Sequence, residues 1–180
     1  MSNKQEQEQE LSIKGTVSLE DFSKYNAYHS KKSTYTYFFI ILIGFWVILF
    51  LLELLVPDNL LFYIPKGVLA LVISLITIFS VKKSLKQRAM KEYESDKRIK
   101  NEISYTFSGE GISQQTGRSN NFFEWSDIHL AREYEEMFLL YISKHKAIIL
   151  PKRFFQLNDD IDLFKIIVTK HIESSKNKFL

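Results

Sequence analysis

Two long apolar runs limit what this chain can become. The stretch Phe38 to Val56 reads FFIILIGFWVILFLLELLV and carries a single charge, Glu53. A helix needs roughly 20 mostly apolar residues to cross a hydrocarbon core about 30 Å thick, and this run is long enough. The second run, LLFYIPKGVLALVISLITIFSV from Leu60 to Val81, is interrupted only by Pro65 and Lys66. Proline suits an early helical position, where its missing N–H costs nothing. Lys66 then lies near the membrane face and reaches outward along its stem. A core helix in a soluble domain is the other source of such runs. Two of them joined by Pro57-Asp58-Asn59 instead predict a transmembrane hairpin at 35–81, with spans at about 38–56 and 64–81.

Neither run has the marks of a removable leader. The first lies behind the polar start MSNKQEQEQE, and no small-residue cleavage site follows it. The flanks then predict orientation. Lys24, Lys31 and Lys32 precede the first span, and Lys82, Lys83, Lys86, Arg88 and Lys91 follow the second. Only Lys66 lies at the connection. Positive charge stays inside, so the expectation is a multi-pass protein of the cell membrane with both termini cytoplasmic.

The remaining chain divides by pattern. Residues 1–10 read as a disordered polar tail. Residues 11–34 hold a short strand, LSIKGTV, and a juxtamembrane helix. Ser18 and Asp21 have capping-box spacing, and Val17 and Phe22 sit where a hydrophobic staple needs them. Phe22, Tyr25 and Tyr28 follow on one side of that helix, suited either to the headgroup region or to packing on the protein's own domain. After the second span, Val81, Leu85, Ala89 and Tyr93 recur at intervals of four and continue the helix as a basic stalk over 82–101. Such a stalk favours anionic lipid headgroups, by about 1 kcal/mol per Lys or Arg. Nucleic acid is not expected: the net charge is only +3, and attachment to a membrane already accounts for the basic run.

From Glu102 the period changes to two. Ile103, Tyr105 and Phe107 alternate, Ser108 to Gly111 is turn chemistry, and ISQQT resumes as strand. Gly117 to Asn121 reads as a second break before FFEW. Further strands are expected at Ile128–Tyr134, Phe138–Ser143 and Ala147–Leu150. The last lacks polar alternation, as a strand buried on both faces would. Pro151 should end it. Asn158-Asp159-Asp160 caps a final helix whose stripe Ile161, Phe164, Ile167, Val168 and Ile172 covers the sheet. Residues 102–180 are therefore expected to form an α+β domain, a small antiparallel sheet or open barrel with a C-terminal helix, and strand 11–17 is expected to join it.

The residues Tyr105-Thr106-Phe107, Gly111-Ile112, Trp125-Ser126-Asp127-Ile128, Leu140-Tyr141-Ile142 and Leu150-Pro151-Lys152-Arg153-Phe154 carry a resemblance. On them the sequence is similar to the YcxB-like family of bacterial membrane proteins, over most of the chain and including the paired spans. The resemblance implies a cytoplasmic domain like bacterial pleckstrin-homology (PH-like) folds, a curved antiparallel sheet closed by a C-terminal helix. It brings no catalytic residues with it.

Chemistry is sparse. The chain has no cysteine, which excludes disulfides and thiol nucleophiles. No P-loop, dinucleotide fingerprint, H-E-x-x-H or nucleophile elbow occurs. His29, His129, His145 and His171 lack metal-ligand spacing. Asp159, Asp160 and Asp162 are what a helix N-terminus attracts. Trp125 reads as a core aromatic. No cofactor or metal is expected, and no enzymatic activity.

Two places remain as candidate sites. Glu53 is the ionisable residue well inside a span, a functional position by default, although reaching the interface or pairing with Lys66 explains it too. Lys152 and Arg153 are expected at an exposed corner, open to an anionic partner. Two functions follow. One is a non-enzymatic, membrane-anchored interaction module presenting its domain to a protein or lipid headgroup. The alternative is a small homo-oligomeric membrane assembly in transport or bacteriocin protection.

Overall fold

The computed structural model describes residues 10–55, 65–96 and 99–179. The rest of the expected tail and the Pro57-Asp58-Asn59 connection lie outside the described residues. The chain forms two compact units. One takes in the chain up to Tyr25 and again from Tyr93, and the other is Asn26–Glu92.

The second unit is helical. Helix α1 (Leu19–Leu55) runs unbroken, so the expected juxtamembrane helix and first span are one element. Helix α2 (Lys66–Ser95) likewise joins the second span to the basic stalk. Pro65 stands just before it and accepts the N–H groups of Val68 and Leu69 on its carbonyl. Ser33–Leu55 and Lys66–Ser95 are both long and apolar enough to cross a membrane. Large apolar side chains such as Ile43, Leu51, Leu54, Ile76 and Phe79 stand exposed along them. Ala70 and Ser74 are fully buried, and the Ser74 hydroxyl donates to the Ala70 carbonyl at 2.7 Å, so no polar hydrogen is left unpaired there.

The first unit begins with β1 (Leu11–Gly15), whose Leu11 and Ile13 are buried while Ser12 and Lys14 are exposed. The helix start follows its local code. Ser18 Oγ accepts the Asp21 N–H at 3.1 Å, and Asp21 Oδ2 accepts the Ser18 N–H at 2.7 Å. Val17 and Phe22 are both buried beside this cap. Phe22 and Tyr25 pack on the domain, with Phe22 against Tyr93 and the Tyr25 hydroxyl donating to the His145 carbonyl. The headgroup alternative therefore does not apply to these two rings.

Among the described residues, eight strands make two four-stranded sheets. The first runs β1-β2-β3-β4, with β2 (Ile103–Phe107), β3 (Gly111–Thr116) and β4 (Ser119–Glu124), all antiparallel. β1 pairs with β2 in the register Leu11 to Phe107, so strands on either side of both long helices share one ladder. The second sheet runs β7-β6-β5-β8, with β5 (Leu130–Glu133), β6 (Met137–Ser143) and β7 (Lys146–Pro151). β8 (Asn177–Lys178) lies parallel to β5 and was not foreseen, since nothing in its polar sequence signals a strand. The chain passes between sheets through a tight turn at Trp125–Asp127, where the Trp125 indole donates to the Ser108 carbonyl at 3.0 Å and stacks on His171.

Two strand expectations need correction. The doubly buried strand is β6, in which Met137 to Tyr141 are all buried, whereas β7 is an edge whose Ala147 and Ile149 are half-buried. An edge also tolerates Pro151 as its last residue. The turn at Gly117 is shorter than expected. Thr116 pairs with Ser119, so Ser119 to Asn121 are strand, and Gly117 at φ 58° is the left-handed first residue of a two-residue hairpin. The last helix starts at the expected acids: in α3 (Asn158–His171) the Asp160 carboxylate accepts the N–H groups of Gln156 and Leu157, both at 3.1 Å.

The core lies where α3 meets both sheets. Phe107 of β2, Phe138 of β6 and Phe164 of α3 have no solvent exposure. The Phe164 ring sits 5.0 Å from Phe107, 4.9 Å from Phe138 and 5.3 Å from Phe155. Ile167, Val168 and Ile172 extend the buried stripe. Fully burying side chains of this kind stabilises the fold by roughly 1.5–3 kcal/mol each.

Candidate functional site

The corner carrying Lys152 and Arg153 is a short helical turn, Lys152–Phe154, formed as β7 ends. Pro151 cannot extend the ladder, and the turn swings Phe154 onto β1. A Cβ on Gly15 would lie 2.3 Å from that ring, so only glycine lets the two elements meet. Phe155 turns the other way, 5.7 Å from Phe138 and 5.3 Å from Phe164.

The two cations are not a free, solvated pair. Arg153 places Nη1 and Nη2 each 2.5 Å from the two carboxylate oxygens of Asp21, and Nη2 also donates to the Thr16 carbonyl at 2.8 Å. This is the fork geometry that makes arginine–carboxylate contacts strong and directional. The Asp21 side chain is 8% exposed, whereas half of Arg153 still meets solvent. Burial alone would raise the Asp21 pKa. Hydrogen bonds from Arg153 and from the Ser18 hydroxyl and backbone outweigh it and hold the carboxyl below its ordinary 3.8.

Lys152 turns to a second buried acid. Its Nζ lies 2.7 Å from Glu133 Oε1 and 5.1 Å from the centre of the Phe138 ring. Lys165 of α3 reaches Glu133 Oε2 at 2.7 Å. The Glu133 side chain is only 5% exposed, so two cations flank one desolvated carboxylate. Beside it, the Lys152 N–H donates to the Glu136 carbonyl at 2.8 Å, and Lys24 pairs with the Glu136 carboxylate as well as with Glu20. The hydrogen bonds to Glu136 and Glu20 raise the Lys24 pKa.

Sequence reasoning expected an open cationic corner and overlooked its acids. Asp21 was legible only as a cap. Glu133 shares the buried face of β5 with Ala131, and an acid on an apolar face was the available signal. Chemically the corner is a joint between β1, the first turn of α1, β5, β7 and α3. An incoming anion has to compete there with carboxylates already in place.

Glu53 lies within α1 and pairs with Lys66 of α2, one of the two arrangements its position suggested. The histidines do not assemble: His171 stacks on Trp125, and His145 sits in the β6–β7 turn. Among the described residues no three His, Asp or Glu side chains stand close enough to hold a metal ion.

Against this geometry the relatives can be placed. The model of the family described as YcxB-like protein matches residues 107–167, from the end of β2 into α3. This segment is similar to that family. It contains the Lys152–Arg153 turn, Glu133 and Lys165, but neither β1 nor Asp21, and it is narrower than the resemblance over most of the chain suggested. The chain is also 32% identical over 87 residues to the Uncharacterized protein YcxB of Bacillus subtilis (strain 168). That match covers 48% of this chain and 47% of the relative, so it spans about half the length of each. No solved structure matches the chain. In the matched segment, then, the buried Glu133 and both of its lysines come from one stretch of chain, while Arg153 reaches outside it to Asp21.

Proposed function

We propose that this chain is a membrane-anchored, non-enzymatic interaction module. In this reading α1 and α2 cross the cell membrane as a hairpin, both termini are cytoplasmic, and the two-sheet unit is a PH-like domain presented to a protein or lipid-headgroup partner. The observation that carries the reading is the β1–β2 ladder. A folded domain built from strands on both sides of two long apolar helices is attached through two chain crossings, which suits holding the domain at a surface rather than trailing it on a flexible tether.

The exposed basic side chains of α2 agree with this. Lys82, Lys83, Lys86, Arg88 and Lys91 all face solvent, and each can gain about 1 kcal/mol from an anionic leaflet. Arg153, half exposed while it holds Asp21, is the member of the candidate pair able to meet a partner as well. Pairing Glu53 with Lys66 gives the acid a structural use, which favours anchoring over a transport role.

Two measurements test the proposal. A cysteine at Asn59 should react with an impermeant thiol reagent in whole cells, and one at Gln115 should not. Reaction at Gln115 in intact cells would overturn the topology. Affinity capture from gently solubilised membranes, with mass spectrometry of proteins and lipids, should return a defined partner or anionic lipid. Recovery of a discrete homo-oligomer alone would replace this reading with a membrane assembly.

A further inference from the structure

The face of the first sheet that carries Phe107 changes character from one end to the other. At one end the row Leu11–Phe107–Ile112–Phe123 is apolar across all four strands. The next row on that face is Ile13–Tyr105–Gln114–Asn121, and the one after it is Gly15–Ile103–Thr116–Ser119. On β1 and β2 these rows stay apolar or aromatic. On β3 and β4 they turn to amides and hydroxyls. Gln114 and Thr116 are half-buried and Ser119 and Asn121 exposed, so the polar end of this face opens to solvent.

These polar positions line an open groove of about 630 Å³, walled by Ile99 and Ile103 and closed at the hairpin by Arg118. That size lies within the range of small-molecule sites, roughly 300–1,000 Å³. The groove is already ordered. Gln114 Nε2 donates to the Tyr105 hydroxyl at 3.3 Å, and Asn121 Nδ2 donates to Gln114 Oε1 at 3.4 Å. Burial pushes the Tyr105 phenol above its ordinary range, so it remains a neutral hydroxyl. The row Tyr105–Gln114–Asn121 thus fixes its amides while leaving the Asn121 carbonyl oxygen and one Gln114 N–H to a ligand.

Charge decides the ligand class. Arg118 is exposed at the second position of the hairpin turn, and among the described residues no acid pairs with it. Among the described residues, no Asp or Glu lines the groove. Lys24, Lys152, Arg153 and Lys165 are by contrast all committed to carboxylates. A planar guanidinium beside amides and hydroxyls matches a phosphate with hydroxyl groups attached. The walls offer isoleucine rather than an aromatic face, which does not suit a stacked base.

We propose that this groove binds a phosphate ester of a small polyol, with Arg118 on the phosphate and Gln114, Thr116, Ser119 and Asn121 on the hydroxyls. Such chemistry comes from a soluble metabolite or from a glycerol-type lipid headgroup. This proposal does not depend on the membrane attachment proposed above, and a soluble probe tests it whether or not the helices span a bilayer.

The experiment uses the isotopically labelled full chain in zwitterionic nanodiscs. Glycerol phosphate is titrated while amide shifts of Gln114, Arg118 and Asn121 are followed by NMR. In a second arm phosphatidylglycerol replaces part of the lipid. Saturable shifts at these residues with glycerol phosphate support a soluble ligand, and shifts only with phosphatidylglycerol support the headgroup. In either case Arg118→Gln should weaken the response by about tenfold or more, as loss of a charge-assisted contact implies. Asn121→Leu should weaken it as well, with the spectrum elsewhere unchanged. Silence at these amides in both arms, or a response that survives Arg118→Gln, would overturn the proposal.

Discussion

Arg153 and Asp21 stand 132 residues apart in the chain, yet the guanidinium of one grips both carboxylate oxygens of the other at 2.5 Å. Asp21 also closes the capping box of α1. One buried carboxylate therefore fixes a helix start and pins the turn after β7 beside it.

Removing the cation should show this coupling. Arg153→Ser leaves Asp21 buried with only Ser18 as a donor, and the expected loss is roughly 1.5–3 kcal/mol, the scale of a hydrogen bond to a charged group. Lys152→Ser should cost less, because Lys165 still neutralises Glu133. Urea unfolding of the detergent-solubilised chain, followed by tryptophan fluorescence, measures both. Equal and negligible losses would mean that the corner is solvated after all.

The same carboxylate predicts an acid sensitivity. Its pKa is lower in the folded chain than the ordinary 3.8, so the unfolded state binds the proton more readily. The stabilisation from ionised Asp21 is complete above that ordinary value and is lost as pH falls through the lowered folded value. Asp21→Asn should remove this part of the acid slope. Unfolding midpoints at several pH values down to the acid limit, compared for the two proteins, provide the check. Parallel curves would deny Asp21 the role.

What the sequence disclosed and what it concealed follow one physical line. Local codes were readable: Ser18 with Asp21, Val17 with Phe22, the stripe through Phe164, Ile167 and Val168, and the two apolar runs. Each is written within a few neighbouring residues. Features that depend on distant pairing were not. Nothing near Arg153 announces Asp21, and nothing in Asn177-Lys178 announces a strand beside β5. Ala147 to Leu150 looked central because it is apolar, but the edge position of β7 depends on which strand β6 leaves unpaired. The polar groove was hidden for a similar reason. ISQQT alternates correctly, and only the sheet register brings Gln114 and Thr116 beside Asn121 and Ser119.

Gly15 offers a steric test of the joint. A methyl group there would meet the Phe154 ring at 2.3 Å, and the ring is hemmed in by its own burial. Gly15→Ala should destabilise the domain by about 1–3 kcal/mol, the usual range for overpacking. The double variant with Phe154→Leu should recover part of that loss, since a smaller side chain vacates the contested space. Denaturation of the four members of this cycle measures the coupling. Strictly additive losses would show that the two residues do not compete for the same volume.

The last prediction concerns β1. Its Leu11 and Ile13 are buried, and its backbone pairs with β2 from Phe107 to Ile103. Deleting the chain through Val17 keeps the Ser18 cap but turns β2 into an edge and uncovers the apolar row beneath it. Three buried aliphatic side chains are lost, at roughly 1.5–3 kcal/mol each. Marginal domains seldom tolerate a loss of that size. Hydrogen exchange on the truncated protein should therefore show deprotected β2 amides and faster cleavage by protease around residues 103–107. Protection should persist longest in β6, which has strands on both sides. If β2 keeps its full protection without β1, the ladder that joins the two halves of this unit contributes nothing to its stability.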